Sequence, residues 1–225
     1  MSGTLAVLPI KAFSRAKSRL ATVLAVNECE CIARHMATDV LRTLADAPGI
    51  DRILVLGQGA EQKALAERFG CDYASDDPTL DISANLSRLT QLLEIQSATQ
   101  LLIVPADMPL LRSEDFVQLL RGHEHGVTIC RASRDGGTNV FLATPPKHVT
   151  FSFGSGSAKR HTAAARAVGY KVTVIDDVAF QRDIDTPEDL QWLCRQDSSC
   201  DTAKFLLEAG VANRLSDLTP AAAAL

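Results

Sequence analysis

Four basic residues lie close together after the first hydrophobic segment of the chain. No acidic residue precedes Glu28, although the 225-residue chain has a net charge of −4. Lys and Arg side chains, together with backbone N–H groups, bind polyphosphates well. We therefore predict that residues 11–19, the basic loop, hold a phosphate chain. A solvated surface loop is the alternative, because charge runs commonly lie in solvent. The four residues are Lys11, Arg15, Lys17 and Arg19.

Three aspartates form the second candidate group. Asp107 follows the apolar run 101–104 and lies between two prolines that force the chain to turn. In an extended segment Asp183 and Asp185 point the same way, because the side-chain period of a strand is two. Carboxylates at separate strand ends suit Mg²⁺, which takes its other ligands from phosphate and water. The alternatives are that Asp107 caps a turn and that Asp185 satisfies the N-terminus of the next helix.

Two glycine-containing segments are candidates for binding a second anion. Residues 135–139 read Asp-Gly-Gly-Thr-Asn, and residues 151–161 read Phe-Ser-Phe-Gly-Ser-Gly-Ser-Ala-Lys-Arg-His. Glycine lets backbone N–H groups approach an anion, and the second segment begins a helix near Ser157. A plain hairpin turn explains residues 136–137 equally well, and an ordinary Ser-capped helix explains the second segment.

These three groups together favour one kind of chemistry. A basic loop, carboxylates of the Mg²⁺ type and an anion site suit attack by one phosphate on the α-phosphorus of a nucleoside triphosphate. That reaction needs in-line positioning and charge neutralisation. The attacking phosphate is already a nucleophile, so the lack of an obvious general base is no objection.

Apolar runs of strand length alternate with amphipathic segments of helix length. This order predicts a doubly wound α/β fold, with a mostly parallel sheet and right-handed crossovers. Asn27 and Glu30 predict a capping box, and Thr186 with Pro187 predicts another helix start. Predicted strands are 5–8, 52–56, 101–104, 126–130, 139–142 and 171–175, and predicted helices are 28–46, 60–69, 83–96, 113–121, 157–168, 187–195 and 201–209.

Composition limits the classes of protein. The chain is 46% hydrophobic, so it can bury a core, and its net negative charge argues against a duplex nucleic-acid binder. Its apolar runs are shorter than the roughly 20 residues of a membrane span, and no basic region precedes the first one, so we predict a cytoplasmic protein. We expect one domain over 1–195, and a helical C-terminal extension over 196–225 that is packed on the domain or frayed from it.

The order of these blocks resembles the guanylyltransferases of coenzyme F420 biosynthesis, within the MobA-like nucleotidyltransferase fold. The matching pattern spans residues 5 to 190 in the family's order. One segment departs from it: the family's Gly-Leu-Asn segment before a helix appears here as Ile82-Ser-Ala-Asn-Leu86, without the glycine. The similar blocks are Pro9-x-Lys11 with 16–20, then 106–111, 135–139, 153–161 and 183–190.

The resemblance implies a single Rossmann-like nucleotidyltransferase domain, with a mostly parallel mixed sheet and helices on both faces. It implies transfer of GMP from GTP to 2-phospho-L-lactate, phosphoenolpyruvate or 3-phospho-D-glycerate, with release of pyrophosphate. Lys17 and Arg19 would be catalytic, and Mg²⁺ would bind at Asp107, Asp185 and Asp183. The nucleotide would contact Lys11, Lys17, Ser18, Arg19 and Asn85, and the acceptor would contact Thr138, Asn139, Gly154, Ser155, Gly156, Ser157 and His161.

Some alternatives stay open at this point. The acceptor could be a molybdopterin or a sugar phosphate, and a non-catalytic GTP-binding regulatory subunit is a rival of another class. We expect no nucleic-acid or membrane partner. A homodimer and a contact with the next enzyme of the F420 pathway are further predictions.

Overall fold

Seven strands form one sheet in the computed structural model, which describes residues 3–91, 98–196 and 199–217. Several strands are continuous apolar runs because the sheet is covered on both faces. They are β1 (Thr4–Ile10), β2 (Arg52–Gly57), β3 (Asp72–Ser75), β4 (Gln100–Ile103), β5 (Gly126–Arg131), β6 (Thr138–Thr144) and β7 (Val172–Ile175).

The strand order creates a crevice beside β1. The order is β3-β2-β1-β4-β6-β5-β7, and β6 runs against its neighbours β4 and β5. From β1 the chain moves outward to β3, and it then returns to β4 on the other side of β1. In open α/β sheets a ligand crevice lies where the connections diverge in this way, outside the carboxyl ends of the strands. Here that place is between β1 and β4.

Helices cover both faces of the sheet. Successive residues of β1 face opposite sides: Ala6 and Leu8 pack with α1, α2 and α4, whereas Leu5 and Val7 pack with α3 and α5. These helices are α1 (Val26–Ala45), α2 (Ala60–Arg68), α3 (Ile82–Thr90), α4 (Ser113–Gly122) and α5 (Ser157–Ala167).

Three further helices form a layer behind α1: α6 (Pro187–Cys194), α7 (Asp201–Glu208) and α8 (Val211–Asp217). Buried Leu206 and Leu215 pack with Ile32 of α1 and with Leu20 of the 3₁₀ helix that ends the basic loop. The Asp39 carboxylate accepts hydrogen bonds from the backbone N–H and hydroxyl of Thr202, at 2.9 and 2.6 Å, and so holds the start of α7. The C-terminal helices therefore contact the same α1 that covers the sheet.

The structure confirms the six predicted strands, contradicts one local prediction and adds two elements that were not predicted. The strand β3 was not predicted, because Asp72 and Ser75 make a short, polar edge strand. The capping box at Asn27 is wrong: α1 begins at Val26, and Glu28 accepts a hydrogen bond from the Ala25 N–H at 2.8 Å. The helix α8 was also not predicted.

Some predictions fall outside the described residues. They concern the end of the helix predicted over 83–96, part of the linker after residue 195, and the terminal alanines. Among the described helices, none is long and apolar enough to cross a membrane.

Candidate active site

A cleft of about 450 Å³ opens at the carboxyl ends of β1 and β4, which is where the strand order predicts a crevice. We call it the central cleft. The basic loop forms one wall, while α3, the start of β6 and Phe153 form the other. Of the residues predicted from sequence, those that line it are Lys11, Lys17, Ser18, Arg19, Asp107, Thr138, Asn139 and Asp185.

The basic loop is ordered by two short 3₁₀ helices, Phe13–Arg15 and Ser18–Thr22. Phe13 and Leu20 are buried on either side of Lys17, and these two anchors hold the loop against the domain. Between the helices Lys17 has φ of 58° and ψ of 34°, a left-handed conformation that is uncommon outside glycine. The backbone turn directs the Lys17 side chain inward instead of into solvent.

Lys17 lies between two aspartates. Its Nζ donates to Asp107 Oδ2 at 2.7 Å and to Asp185 Oδ1 at 2.6 Å, and its side chain is 8% exposed. Burial lowers the pKa of Lys17, but the charges and hydrogen bonds of the two carboxylates together raise that pKa above its ordinary value. Lys17 is therefore charged, and its two carboxylate partners replace the water that burial removes from its ammonium group.

Two further predicted cations, Lys11 and Arg19, lie at the mouth of the central cleft. The Arg19 side chain is 71% exposed, and its Nη1 lies 3.8 Å from Asp185 Oδ2. Lys11 and Ser18 are also exposed beside the cleft. The basic loop thus offers one buried ammonium group at the base of the cleft and exposed donors at its entrance.

Three carboxylates form the acid cluster: Asp107, Asp183 and Asp185 each offer one oxygen within 4.8 Å of the others. The two chain segments are joined by a hydrogen bond from the Ile184 N–H to the Asp107 carbonyl, at 3.0 Å. Burial, followed by the charges of Asp107 and Asp185, raises the pKa of Asp183 to about 6. Burial also acts to raise the pKa of Asp185, but the charge and hydrogen bond of Lys17, together with the charges of Arg134 and Arg19, outweigh burial, and that pKa is lowered.

The acid cluster fits a hard divalent cation. Asp107 Oδ1 is buried and has no hydrogen-bond partner among the described residues, which is costly for a carboxylate unless a cation contacts it. Oxygen ligands from several carboxylates are what Mg²⁺ and Ca²⁺ prefer. Burial is the first cause of the raised pKa of Asp183, and the nearby charges of Asp107 and Asp185 raise that pKa further, as expected for carboxylates held close together without a cation.

The Asp185 carboxylate is not needed to cap the following helix. Thr186 is the N-cap of α6, and its N–H donates to Asp189 Oδ2 at 2.9 Å. The Asp185 backbone N–H donates to the same oxygen at 3.1 Å. Asp189 and Thr186 therefore satisfy the helix start, and the Asp185 side chain is left to face Lys17.

Arg134 is a member of the site that sequence reasoning missed. Its guanidinium group contacts the Asp189 carboxylate and lies 3.7 Å from Asp183 Oδ1 and 4.0 Å from Asp185 Oδ2. It precedes the Asp-Gly-Gly turn by one residue, and the turn between β5 and β6 carries it to the acid cluster. The only local signal was a basic residue beside that turn.

Two turns, residues 135–138 and 153–157, pack together as the glycine cradle. The Gly156 N–H donates to the Asp135 carbonyl at 3.0 Å, and the Ala158 N–H donates to the Gly136 carbonyl at 3.2 Å. Gly154 and Gly156 have φ of 114° and 68°, which an L side chain rarely adopts. The turn between β5 and β6 is thus both a hairpin connection and one half of the cradle. Gly154 and Ser155 are exposed, whereas Ser157 is buried.

The polar residues behind the cradle are bonded inside the protein. Ser157 Oγ lies 3.0 Å from Thr138 Oγ1, and His161 Nδ1 lies 2.9 Å from that same oxygen. The Asn139 side-chain amide donates to the Phe180 carbonyl at 2.8 Å. Of these four residues, Thr138 and Asn139 line the central cleft.

The Asn85 side chain holds the loop of residues 77–81 that precedes α3. It is 3% exposed, its Oδ1 accepts from the Asp77 N–H at 2.7 Å, and its Nδ2 donates to the Asp77 carbonyl at 3.0 Å. Its helical neighbours Ile82 and Leu86 line the central cleft. The neighbouring Ser83 accepts a hydrogen bond from the Phe153 N–H at 2.9 Å and so ties α3 to the glycine cradle.

Comparisons with known proteins agree with this geometry. A family model described as "Guanylyl transferase CofC like" matches residues 4–220. The chain belongs to this family. A phosphoenolpyruvate guanylyltransferase from Roseiflexus sp. strain RS-1 is 36% identical over 193 residues, which cover 85% of each chain. The prediction of a guanylyltransferase family with a nucleotidyltransferase fold is confirmed.

Relatives at lower sequence identity are named for other acceptors. A 2-phospho-L-lactate guanylyltransferase from Methanothermobacter thermautotrophicus is 28% identical, covering 83% of this chain and 82% of its own. A 3-phospho-D-glycerate guanylyltransferase from Phenylobacterium zucineum is 29% identical, covering 89% and 94%. A solved structure from Desulfovibrio desulfuricans G20, named after nucleotide-diphospho-sugar transfer, has a TM-score of 0.79 at 18% identity and covers 96% of this chain and 99% of its own. The similarity to this structure shows a shared fold.

Proposed function

We propose that this chain transfers GMP from GTP to the phosphate group of a three-carbon phospho-acid and releases pyrophosphate, as a step in coenzyme F420 biosynthesis. Membership of the CofC-like family supports guanylyl transfer. The names of relatives supply three candidate acceptors: phosphoenolpyruvate, 2-phospho-L-lactate and 3-phospho-D-glycerate. Phosphoenolpyruvate is the first to test, because the relative at 36% identity is named for it.

The observation that carries this proposal is the meeting of the basic loop and the acid cluster in one cleft. Lys17 contacts Asp107 and Asp185 directly, and Lys11 and Arg19 line the entrance. A triphosphate that enters the central cleft would meet both the cations and the carboxylates that can hold a metal ion. Little else is required of a protein that catalyses phosphoryl or nucleotidyl transfer.

The acid cluster and the basic loop have proposed roles in binding the nucleotide. The acid cluster would hold Mg²⁺, which when bound neutralises charge on the triphosphate and on the departing pyrophosphate. Lys17 and Arg19 would stabilise the charge that develops as the bond to pyrophosphate breaks, and Lys11 and Ser18 would bind the phosphate chain. The amide of Asn85 is already bonded to the backbone of residue 77. These bonds do not support its predicted contact with the nucleotide, which stays a prediction.

The glycine cradle has the proposed role of binding the acceptor. Thr138 faces the central cleft, and Gly154 to Ser157 provide backbone groups at the start of α5. In the reaction an oxygen of the acceptor phosphate forms a bond to the α-phosphorus of GTP. The bond from that phosphorus to the bridging oxygen breaks, and pyrophosphate leaves with the electron pair.

Pyrophosphate release tests the proposal. Purified protein with GTP and Mg²⁺ should release pyrophosphate with at least one of the three acids, and mass spectrometry should find the acid joined to GMP. A panel of ATP, CTP and UTP, with sugar phosphates and molybdopterin as other acceptors, tests the wider nucleotidyltransferase alternatives. Tight GTP binding without turnover on any acceptor would instead favour a regulatory subunit and would overturn the proposal.

Three predictions about the setting of this activity accompany the proposal. They are a cytoplasmic location, a homodimer and a contact with the next enzyme of the F420 pathway. Sedimentation of the purified chain, alone and with that enzyme, tests the last two.

A further inference from the structure

His161 lies behind the central cleft and uses both ring nitrogens inside the protein. Its Nε2 accepts a hydrogen bond from the Ser152 N–H at 2.8 Å, and its Nδ1 lies 2.9 Å from Thr138 Oγ1. It is 1% exposed, and its ring meets those of Phe141 and Phe153 edge-on, with centroids 5.1 and 4.8 Å apart. A ligand in the central cleft therefore contacts Thr138 and not the imidazole.

The contact with Ser152 fixes where the imidazole carries its proton. A backbone N–H can only donate, so Nε2 must be unprotonated, and a neutral ring then carries its proton on Nδ1. Burial, and then the charge of Arg160, lower the pKa of His161 to about 4, so the ring is neutral at neutral pH. The Nδ1–H group therefore donates to Thr138 Oγ1.

Ser157 occupies the second lone pair of the same oxygen. It is fully buried, and its Oγ lies 3.0 Å from Thr138 Oγ1. Across residues 3–91, 98–196 and 199–217 no other hydrogen-bond partner of the Ser157 hydroxyl is found. A buried hydroxyl proton needs an acceptor, so Ser157 donates to Thr138. Thr138 Oγ1 then accepts twice, and its own proton is left to point into the cleft that Thr138 lines.

We propose that His161 is a positioning residue, which with Ser157 turns the Thr138 hydroxyl into a fixed hydrogen-bond donor facing the acceptor. This inference rests on the proposed function for the identity of the acceptor. The hydroxyl would select a ligand atom that has lone pairs and no proton, namely a carboxylate or phosphate oxygen of the phospho-acid. No reorientation is needed when the acid binds, because the internal hydrogen bonds set the direction beforehand.

The tautomer can be measured without substrates. In protein labelled with ¹⁵N-histidine, two-bond ¹H–¹⁵N correlation spectra at pH 7 should show His161 with a protonated Nδ1 and an unprotonated Nε2. The H161N variant identifies the signals by their loss. A proton on Nε2, or a doubly protonated ring, would overturn the proposal. The spectra of the wild-type chain need no substrate, so they decide the tautomer even where the proposed activity is absent.

Two variants at His161 form a matched pair for kinetics. Asparagine places an amide near Nδ1 and can still donate to Thr138, whereas glutamine places its amide near Nε2 and can pair only with Ser152. H161Q should raise the KM for the phospho-acid by about tenfold, as expected for a weakened hydrogen bond to a charged group, and H161N should raise it less. The KM for GTP should stay unchanged in both variants. Equal effects of H161N and H161Q on the acid would contradict a role through Nδ1–H.

A double mutant separates positioning from a structural role. If His161 acts through the Thr138 hydroxyl, H161Q should have no further effect on the KM of the acid once T138V has removed that hydroxyl. If the increases in the KM of the acid caused by T138V and by H161Q multiply in the double mutant, the proposal is overturned. If the wild-type chain turned over none of the three acids, the proposed function would fail separately, and the ring-nitrogen measurement would still decide the orientation of Thr138.

Discussion

The wall of the central cleft that carries the basic loop and the acid cluster, here called the charged wall, differs from the wall to which the glycine cradle contributes Thr138 and Phe153. Around the acid cluster, full charges from four separate chain segments face one another, and Lys17 and Arg134 lie between the carboxylates. The glycine cradle and the residues behind it are joined through backbone groups, hydroxyls and the imidazole of His161, and the charged side chains of Asp135 and Arg160 bond there to the backbone of Gly137 and Ser155. One wall consists of charges that a bound cation can rearrange, and the other consists of dipoles whose directions are already set.

This difference has a physical reason. The proposed triphosphate with its metal ion would bring several charges into the cleft, so the residues that receive it must hold compensating charges beforehand. Lys17 provides the compensating charge for Asp107 and Asp185. A small acid is recognised mainly by where its oxygens lie, and fixed neutral donors suit that task. Substitutions on the charged wall should therefore change metal binding and pH dependence, whereas those in the glycine cradle should change the choice of acid.

The largest effect is expected from removing a carboxylate of the charged wall. D107N keeps the shape of the side chain but lowers the charge of the acid cluster, and we expect kcat to fall by about 10³-fold, because metal-ion stabilisation of phosphate charge contributes several kcal/mol. Pyrophosphate release measures the loss. D72N is the control, since Asp72 pairs with Arg52 on an exposed edge strand and should leave kcat near the wild-type value. Full activity of D107N would remove Asp107 from the metal site.

Lys17 provides the next test, because it holds the carboxylates that a metal ion would bind. Removing its ammonium group in K17M should lower kcat by about 100-fold. It should also tighten Mn²⁺ binding in the absence of nucleotide by about tenfold, since a competing positive charge is lost. R19M is the matched control for Mn²⁺ binding alone, because Arg19 is exposed and 3.8 Å from Asp185. Titration of Mn²⁺ by electron paramagnetic resonance measures the affinity of both variants, pyrophosphate release measures kcat, and weaker Mn²⁺ binding in K17M would contradict the assignment.

The acid cluster should also make the stability of the chain depend on pH. The pKa of Asp183 is raised to about 6, so the folded chain binds this proton more tightly than the unfolded chain does. Stability from this group is therefore lost as the pH rises from about 4 to about 6, and it is constant above that range. D183N removes the repulsion, so its advantage in free energy of unfolding over the wild-type chain should grow from pH 4.5 to pH 7.

Urea denaturation at several pH values measures that difference. The comparison is made without added divalent cation, and Mg²⁺ is then added as the control, because a bound cation should stabilise the wild-type chain more than D183N. A difference between the two proteins that stays constant with pH would show that Asp183 is not the titrating group.

Sequence reasoning succeeded where a local pattern decides the structure. Buried apolar runs predicted six strands, and the Thr186-Pro187 pair predicted the start of α6, because each depends on a few neighbouring residues. The carboxylates of the acid cluster were found for the same reason: they follow predicted strands or precede a predicted helix, and the carboxyl ends of parallel strands meet at one edge of a sheet.

The contacts across the chain could not be predicted in the same way. The pairing of Lys17 with both Asp107 and Asp185 joins residues about 90 and 168 positions apart, and Arg134 reaches the acid cluster only through the turn between β5 and β6. Burial of His161 behind Thr138 depends on how α5 packs against β6, so the sequence alone presented His161 as a ligand contact. Residue type indicated which side chains matter, and long-range packing determines which of them face the cleft.

The smallest expected effect concerns the support of the charged wall by the C-terminal helices. Leu206 packs with Leu20 at the end of the basic loop, whereas Leu119 packs in the core on one face of the sheet. L206A and L119A should each lower the free energy of unfolding by about 2–5 kcal/mol, as for other buried leucines. Only L206A should also raise the KM for GTP, by about threefold, because the cavity lies beside the loop that we propose binds the triphosphate. An equal rise in L119A would show that the effect comes from general loss of stability, and that the C-terminal helices do not support the basic loop.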